Sequence, residues 1–133
     1  MNDNDLDALV AAARTARARA YAPYSRFAVG AAVRTADGQV FPGCNIENAA
    51  YPATICAERV AITTAWASGA RDIVALAVIA DTAGPVAPCG TCRQVIAELA
   101  PTALIILANT AGARQHTTAA ELLPGAFTPE SLP

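Results

Sequence analysis

Lysine is absent from this 133-residue chain, and all nine basic residues are arginine. Without a primary amine side chain there can be no lysine Schiff base, no pyridoxal phosphate attachment and no phosphate-loop lysine. Histidine occurs once, at His116, which excludes a two-histidine zinc site. A Ser-His-Asp triad would have to use that one imidazole, and nothing around it recommends the role. Clustered positive charge is also scarce. The net charge is −2, and the one group of cations, Arg14, Arg17 and Arg19, falls in a segment of helical spacing where it reads as a solvated or interface face. Nucleic acid is therefore not an expected partner, since binding it requires cations that displace counterions from phosphates. Long apolar runs are missing as well. Ile73 to Ala80 and Ala103 to Ala108 fall far short of the ~20 residues of a membrane-spanning helix, so no membrane partner is expected.

What is present is a small, alanine-rich, apolar chain. Its length suits one domain, residues 1–133, with a core of its own. More than half of the residues are hydrophobic, and burial between subunits is an outlet for such an excess. The start, Met1-Asn2-Asp3-Asn4-Asp5, is acidic and polar, unlike a signal or transit peptide. A cytoplasmic location is expected. There the four cysteines stay reduced, which favours metal binding or catalysis over a disulfide framework.

Leu6, Leu9, Val10 and Ala13 recur at helical spacing in a segment from Leu6 to Ala20, with Asp3 or Asp5 as its cap. Phe27 to Thr35 and Gln39 to Gly43 read as strands joined at the turn Ala36-Asp37-Gly38. After a loop over 44–54, Cys56 to Ser68 reads as a helix, Ile73 to Ala80 as a strand covered on both faces, and Cys89 to Leu99 as a helix. Leu104 to Ala108 is another covered strand, followed by a short strand over Ala113 to Thr118 and a helical turn over Ala119 to Leu123. A hairpin followed by βα units implies a mixed sheet flanked by helices. The gap Asn109 to Gly112 is too short for a crossover, so the last two strands should be antiparallel.

The chemistry concentrates in Cys56-Ala57-Glu58-Arg59 and in Pro88-Cys89-Gly90-Thr91-Cys92. Three thiols can hold a tetrahedral Zn²⁺ and leave its fourth position open. Cys89 and Cys92 lie three apart and face the same way on a helical turn. If both helices begin at the metal, their N-terminal dipoles favour thiolate over thiol. Glu58 is placed to move protons without binding the metal. Arg59, one turn from Cys56, can donate to the thiolates and withdraw charge from an electron-rich centre. The CxxC pair alone would equally suit a redox protein, but Cys56, Glu58 and Pro88 would then be unexplained. A closed four-thiolate structural site using Cys44 as well is the rival reading from another class.

A cysteine followed by x-Glu, then Pro-Cys-x-x-Cys, is the general pattern of zinc deaminases. Two further blocks, Tyr24-Ser25-Arg26-Phe27-Ala28-Val29-Gly30-Ala31-Ala32 and Asn45-Ile46-Glu47-Asn48-Ala49-Ala50-Tyr51, complete a likeness that runs from Tyr21 to Phe127. In these the chain resembles the cytidine deaminase family, in particular its small, three-cysteine, homotetrameric branch. The resemblance implies a three-layer α/β/α fold with a mixed five-stranded sheet. It implies zinc-dependent hydrolytic deamination of cytidine and 2′-deoxycytidine in pyrimidine salvage, with Cys56, Cys89 and Cys92 as zinc ligands and Glu58 as the proton shuttle. It further implies that Phe27 lines the pyrimidine pocket, that Asn45 and Glu47 bind the ribose 3′-hydroxyl, and that the Ala57 N–H meets the base carbonyl. Tyr51 and Phe127 would reach the site from neighbouring subunits, although Phe127 could equally be a C-terminal anchor in its own core. A deaminase of another small aminopyrimidine nucleoside is the alternative within the same chemistry.

Overall fold

The computed structural model describes all residues, Met1–Pro133. Its elements are α1 (Asp3–Arg17), β1 (Val29–Thr35), β2 (Val40–Cys44), α2 (Ala57–Ala67), β3 (Ile73–Ala80), α3 (Gly90–Leu99), β4 (Leu104–Asn109), β5 (Arg114–Thr117) and α4 (Ala119–Leu122), with 3-10 turns at Tyr51–Ala53 and Pro129–Ser131. The five strands form one sheet in the order β2-β1-β3-β4-β5. Only β3 and β4 run parallel; β1 is antiparallel to both β2 and β3, and the last pair, β4 and β5, is antiparallel as its short connection requires.

Both sheet faces are covered, which explains the nearly unbroken apolar runs of β3 and β4. On one face α1 presses Leu9, Val10 and Ala13 onto Ala32, Ala75, Ala77, Ile79 and Ile106. On the other, α2 and α3 bury Ala61, Ile62, Ala65 and Ile96 against Ala31, Val33, Leu76, Val78 and Ile105. The result is a three-layer α/β/α architecture. Small residues let the layers approach closely. A Cβ on Gly30 would fall 2.0 Å from the Ala13 carbonyl oxygen of α1, and one on Gly43 would fall 2.5 Å from the Ala61 nitrogen and 2.7 Å from the Ala57 carbonyl oxygen of α2.

Several boundaries differ from the sequence expectation, each for a physical reason. The cap of α1 is Asn2 rather than Asp3 or Asp5: Asn2 accepts the Asp5 N–H at 3.0 Å while Asp5 accepts the Asn2 N–H at 2.9 Å. Two orphan donors are thus satisfied reciprocally, which a cap at Asp3 or Asp5 would not do. The first strand starts at Val29, not Phe27. Just before it, the Asn45 side chain bonds the backbone on both sides of Ala28, accepting the Val29 N–H at 2.9 Å and donating to the Phe27 carbonyl at 2.7 Å. Cys56 and Cys89 are the N-caps of α2 and α3 rather than their first helical residues, with extended backbone (ψ of 154° and 168°).

Candidate active site

One end of the sheet carries the chemistry. Val29, Cys44, Ala80 and Asn109 are aligned there by strand pairing through β1, β2, β3 and β4. The N-termini of α2 and α3 meet at this end, so their capping residues Cys56 and Cys89, together with Cys92 in the first turn of α3, converge. The sulfur atoms of Cys56 and Cys89 are 3.9 Å apart, and those of Cys89 and Cys92 are 3.4 Å apart. Tetrahedral coordination at a Zn–S distance of about 2.3 Å needs sulfurs about 3.8 Å apart, so the Cys56–Cys89 pair already has the spacing for Zn²⁺ and the Cys89–Cys92 pair need open by only about 0.4 Å. Cys44 lies outside this group of three, which counts against a closed four-thiolate site.

The electrostatics favour thiolate. The Cys56 thiol is drawn down to about 5, first by its hydrogen bond with Cys92 and then by Arg59 and Cys89. The same bond with Cys56, together with burial, pushes the Cys92 thiol up, so within the pair the negative charge resides on Cys56. The N-terminus of each helix adds the positive end of its peptide dipoles. Arg59 Nη2 lies 3.5 Å from the Cys56 sulfur and 3.4 Å from the Thr54 carbonyl oxygen, while its buried Nε has no partner. The guanidinium is thus committed to the thiolate side of the site and is held charged foremost by its bond to Cys56.

Glu58 is the one buried carboxylate of the chain, 4 % exposed. Burial pushes its carboxyl above the ordinary carboxylate range, with the Cys56 charge adding to the rise. A proton-transfer group near neutral pH benefits from such a shift. Glu58 opens with Cys56, Ala57 and Cys89 into a cleft of about 230 Å³. Phe27, Val29 and Val86 supply apolar walls, and Asn45 and Glu47 supply polar ones. Ala57 occupies the first helical position of α2, where its N–H has no intrahelical acceptor.

Phe27, Asn45, Glu47, Ala57 and Glu58 therefore share one cleft with Cys56 and Cys89. Tyr51 and Phe127 do not. Tyr51 stands 72 % exposed on its 3-10 turn, edge-on to Tyr24 with ring centroids 5.9 Å apart. Phe127 is 58 % exposed, and its carbonyl accepts from Gln94 at 2.8 Å. Its ring is not a buried anchor of its own chain.

Three contributors escaped the sequence reading. Ser25 lines the cleft and bonds Glu47 through its hydroxyl. Thr54, at the end of the loop before α2, lines the cleft and accepts the Asn48 N–H at 3.2 Å through its hydroxyl. Asn109 is buried at the end of β4 and donates to the carbonyls of Thr82 and Ala83 at 3.0 and 3.1 Å, which pins the loop that delivers Val86, Ala87 and Cys89. Ser25 and Asn109 act through partners 22 to 27 residues away, and only the buried turn chemistry of Asn109 had a local sign, its place before Thr110-Ala111-Gly112.

Comparison with known proteins agrees with this geometry. The family described as "Cytidine and deoxycytidylate deaminase zinc-binding region" matches residues 3–108. A cytidine deaminase of Sporosarcina psychrophila is 53 % identical over 129 residues, covering 96 % of this chain and 95 % of its own. The crystal structure of cytidine deaminase from Burkholderia pseudomallei superposes with a TM-score of 0.90 at 52 % identity, covering 96 % of this chain and 100 % of that one. That of cytidine deaminase from Mycobacterium tuberculosis gives a TM-score of 0.80 at 40 % identity, over 92 % and 97 % of the two chains. With three sulfurs at zinc spacing and a buried carboxylate beside them, the chain belongs to the cytidine and deoxycytidylate deaminase family.

Proposed function

We propose that the protein deaminates cytidine and 2′-deoxycytidine hydrolytically, giving uridine and 2′-deoxyuridine with release of ammonia, in pyrimidine salvage. The observation that carries this reading is the buried Glu58 beside three sulfurs at zinc spacing, at the floor of a cleft of about 230 Å³ with apolar walls and two amide or carboxylate side chains. Bound through Cys56, Cys89 and Cys92, Zn²⁺ supplies Lewis acidity toward water. Glu58 takes one proton from the attacking water and delivers it to N3 of the ring as the C4–O bond forms. It then carries the second proton to the exocyclic nitrogen, so that the C4–N bond breaks with ammonia as the leaving group rather than an amide anion. Phe27 packs on the pyrimidine, and the Ala57 N–H donates to the base carbonyl. Asn45 and Glu47 receive the ribose 3′-hydroxyl; Asn45 keeps one amide N–H beyond its bond to Phe27, and Glu47 keeps one lone-pair direction. Arg59 withdraws charge from the thiolates and so preserves the acidity of the site.

The reading extends to residues 1–133 as one deaminase domain, acting in the cytoplasm as a homotetramer with shared active sites. Support for sharing comes from Tyr51 and Phe127, two large rings exposed to solvent and outside their own cleft. Support for a reducing compartment comes from four free cysteines, three of them at the site. No helix is long and apolar enough to cross a membrane. The direct test is Glu58→Gln, which keeps shape and removes the proton carrier. Turnover of cytidine should fall at least about 10²–10⁴-fold with zinc content unchanged. Turnover within a few-fold of the parent would remove Glu58 from the mechanism.

A further inference from the structure

Ser25 and Glu47 are 22 residues apart in sequence and form a closed hydrogen-bonded unit at the mouth of the cleft. Glu47 Oε1 accepts the backbone N–H groups of Tyr24 at 2.9 Å and Ser25 at 3.1 Å, and Oε2 accepts the Ser25 hydroxyl. The same Ser25 oxygen accepts the Phe27 N–H at 3.0 Å. Between them Arg26 holds φ at 59°, the one non-glycine residue of the chain with positive φ. A left-handed arginine persists where surrounding bonds over-determine the backbone. Here those bonds come from the Glu47 carboxylate and the Ser25 hydroxyl. The Phe27 peptide is thereby tied at both ends: its N–H to Ser25, and its carbonyl to Asn45 at 2.7 Å. Both residues assigned to the sugar thus hold the residue assigned to the base, Asn45 directly and Glu47 through Ser25.

We propose that Ser25 is a positioning residue that couples sugar recognition to the base pocket. Its hydroxyl fixes the orientation of Glu47 Oε2, leaving one lone-pair direction for a sugar hydroxyl, and fixes the backbone from which the Phe27 ring projects. A carboxylate has about four acceptor directions, and three are filled within the protein. The fourth is therefore defined in direction and not free to swing. The Ser25 hydroxyl also holds the Glu47 carboxyl below the ordinary range, which keeps it an acceptor. The proposal rests on the nucleoside reading above, and it predicts that the loss of Ser25 blurs discrimination at the sugar while the hydrolytic centre stays intact.

The test compares cytidine with 3′-deoxycytidine in the parent and in Ser25→Ala, with zinc content measured on each protein. In the parent, losing the 3′-hydroxyl should lower kcat/KM by roughly 10–100-fold, the range for one hydrogen bond to a charged group. In Ser25→Ala that penalty should shrink to about 3-fold or less, with the cytidine KM rising about tenfold, kcat changing far less and zinc unchanged. Ser25→Thr, which keeps the hydroxyl, should restore discrimination. Should Ser25→Ala fold poorly, Ser25→Cys, with similar shape and a weak donor, must show the same loss. A Ser25→Ala enzyme slowed equally on both substrates, with the penalty intact, would overturn the proposal and leave the nucleoside reading standing. A parent that turns over both nucleosides equally would overturn the Glu47 assignment and the proposal together.

Discussion

Gly43 sets the distance between β2 and α2, and Gly43→Ala tests how tightly that distance governs the active site. A Cβ at this position would lie 2.5 Å from the Ala61 nitrogen, 2.7 Å from the Ala57 carbonyl oxygen and 3.0 Å from the Ala61 Cα. All three are backbone atoms of one helix, so no side-chain rotation can relieve the clash. Favourable contact needs about 3.5–4.0 Å, so α2 must move by about 1 Å or β2 must buckle. Overpacking of this kind costs about 1–3 kcal/mol. With an unfolding entropy near 2.1 cal/mol/K per residue, a chain of this length should lose roughly 4–11 °C in Tm. The functional loss should be larger than the stability loss suggests, because α2 carries the Cys56 cap, the Ala57 N–H and Glu58 in its first turn. Displacing reacting groups by about 1 Å can cost about 10²-fold in rate. Calorimetry and steady-state turnover of cytidine on the same preparation measure both effects. Gly84→Ala is the control, because a Cβ there meets nothing within 4 Å. If Gly43→Ala melts within about 2 °C of the parent and retains its kcat, close approach of β2 and α2 does not position the site.

Two further outcomes follow from particular bonds. Asn109→Ala removes a side chain that donates to the Thr82 and Ala83 carbonyls and accepts the N–H groups of Ala111 and Ala113. Stability should fall by about 2–4 kcal/mol, given about 1–3 kcal/mol for each buried group left unpaired and partial rescue by water, as read from urea midpoints; a change under about 0.5 kcal/mol would show that the loop before α3 does not depend on it. After zinc is stripped with a chelator, Cys56 should be alkylated by iodoacetamide ahead of Cys44, with a rate that rises with pH around a midpoint near 5, because its folded thiol is drawn down by Cys92 and Arg59. Below that midpoint the thiol protonates and the reaction slows. Arg59→Ala should move the midpoint upward, and peptide mapping of a parent with a midpoint above about pH 8 would contradict the charge distribution described.

Much of the scaffold and the metal cluster was legible because both are encoded locally. Asp37-Gly38 marks the hairpin, the apolar runs Ile73–Ala80 and Leu104–Ala108 mark strands covered on two faces, and Cys89 and Cys92 are brought together by one helical turn. The one-residue shift that makes Cys56 and Cys89 caps was not legible, because a cysteine offers no capping hydrogen bond to betray the boundary. The polar half of the cleft was readable only as residue types. Glu47 and Asn45 looked like a pair free to meet a sugar, yet both also brace the chain near Phe27, across sequence separations of 16 to 23 residues. Periodicity carries no trace of such bonds. The approach that requires Gly43 is likewise a property of α2, met only once the helix has packed on the sheet.

The measurement closest to the centre of this reading is the ultraviolet change of cytidine followed with metal-stripped protein, before and after one equivalent of Zn²⁺ per chain is restored. The stripped protein should leave the cytidine spectrum unchanged. Restoration should bring steady conversion to the uridine spectrum with one ammonia released per nucleoside, and bound zinc should approach one per chain, as three sulfurs at 3.4 and 3.9 Å spacings can hold. A protein that takes up zinc at this ratio and converts neither cytidine nor 2′-deoxycytidine would contradict it.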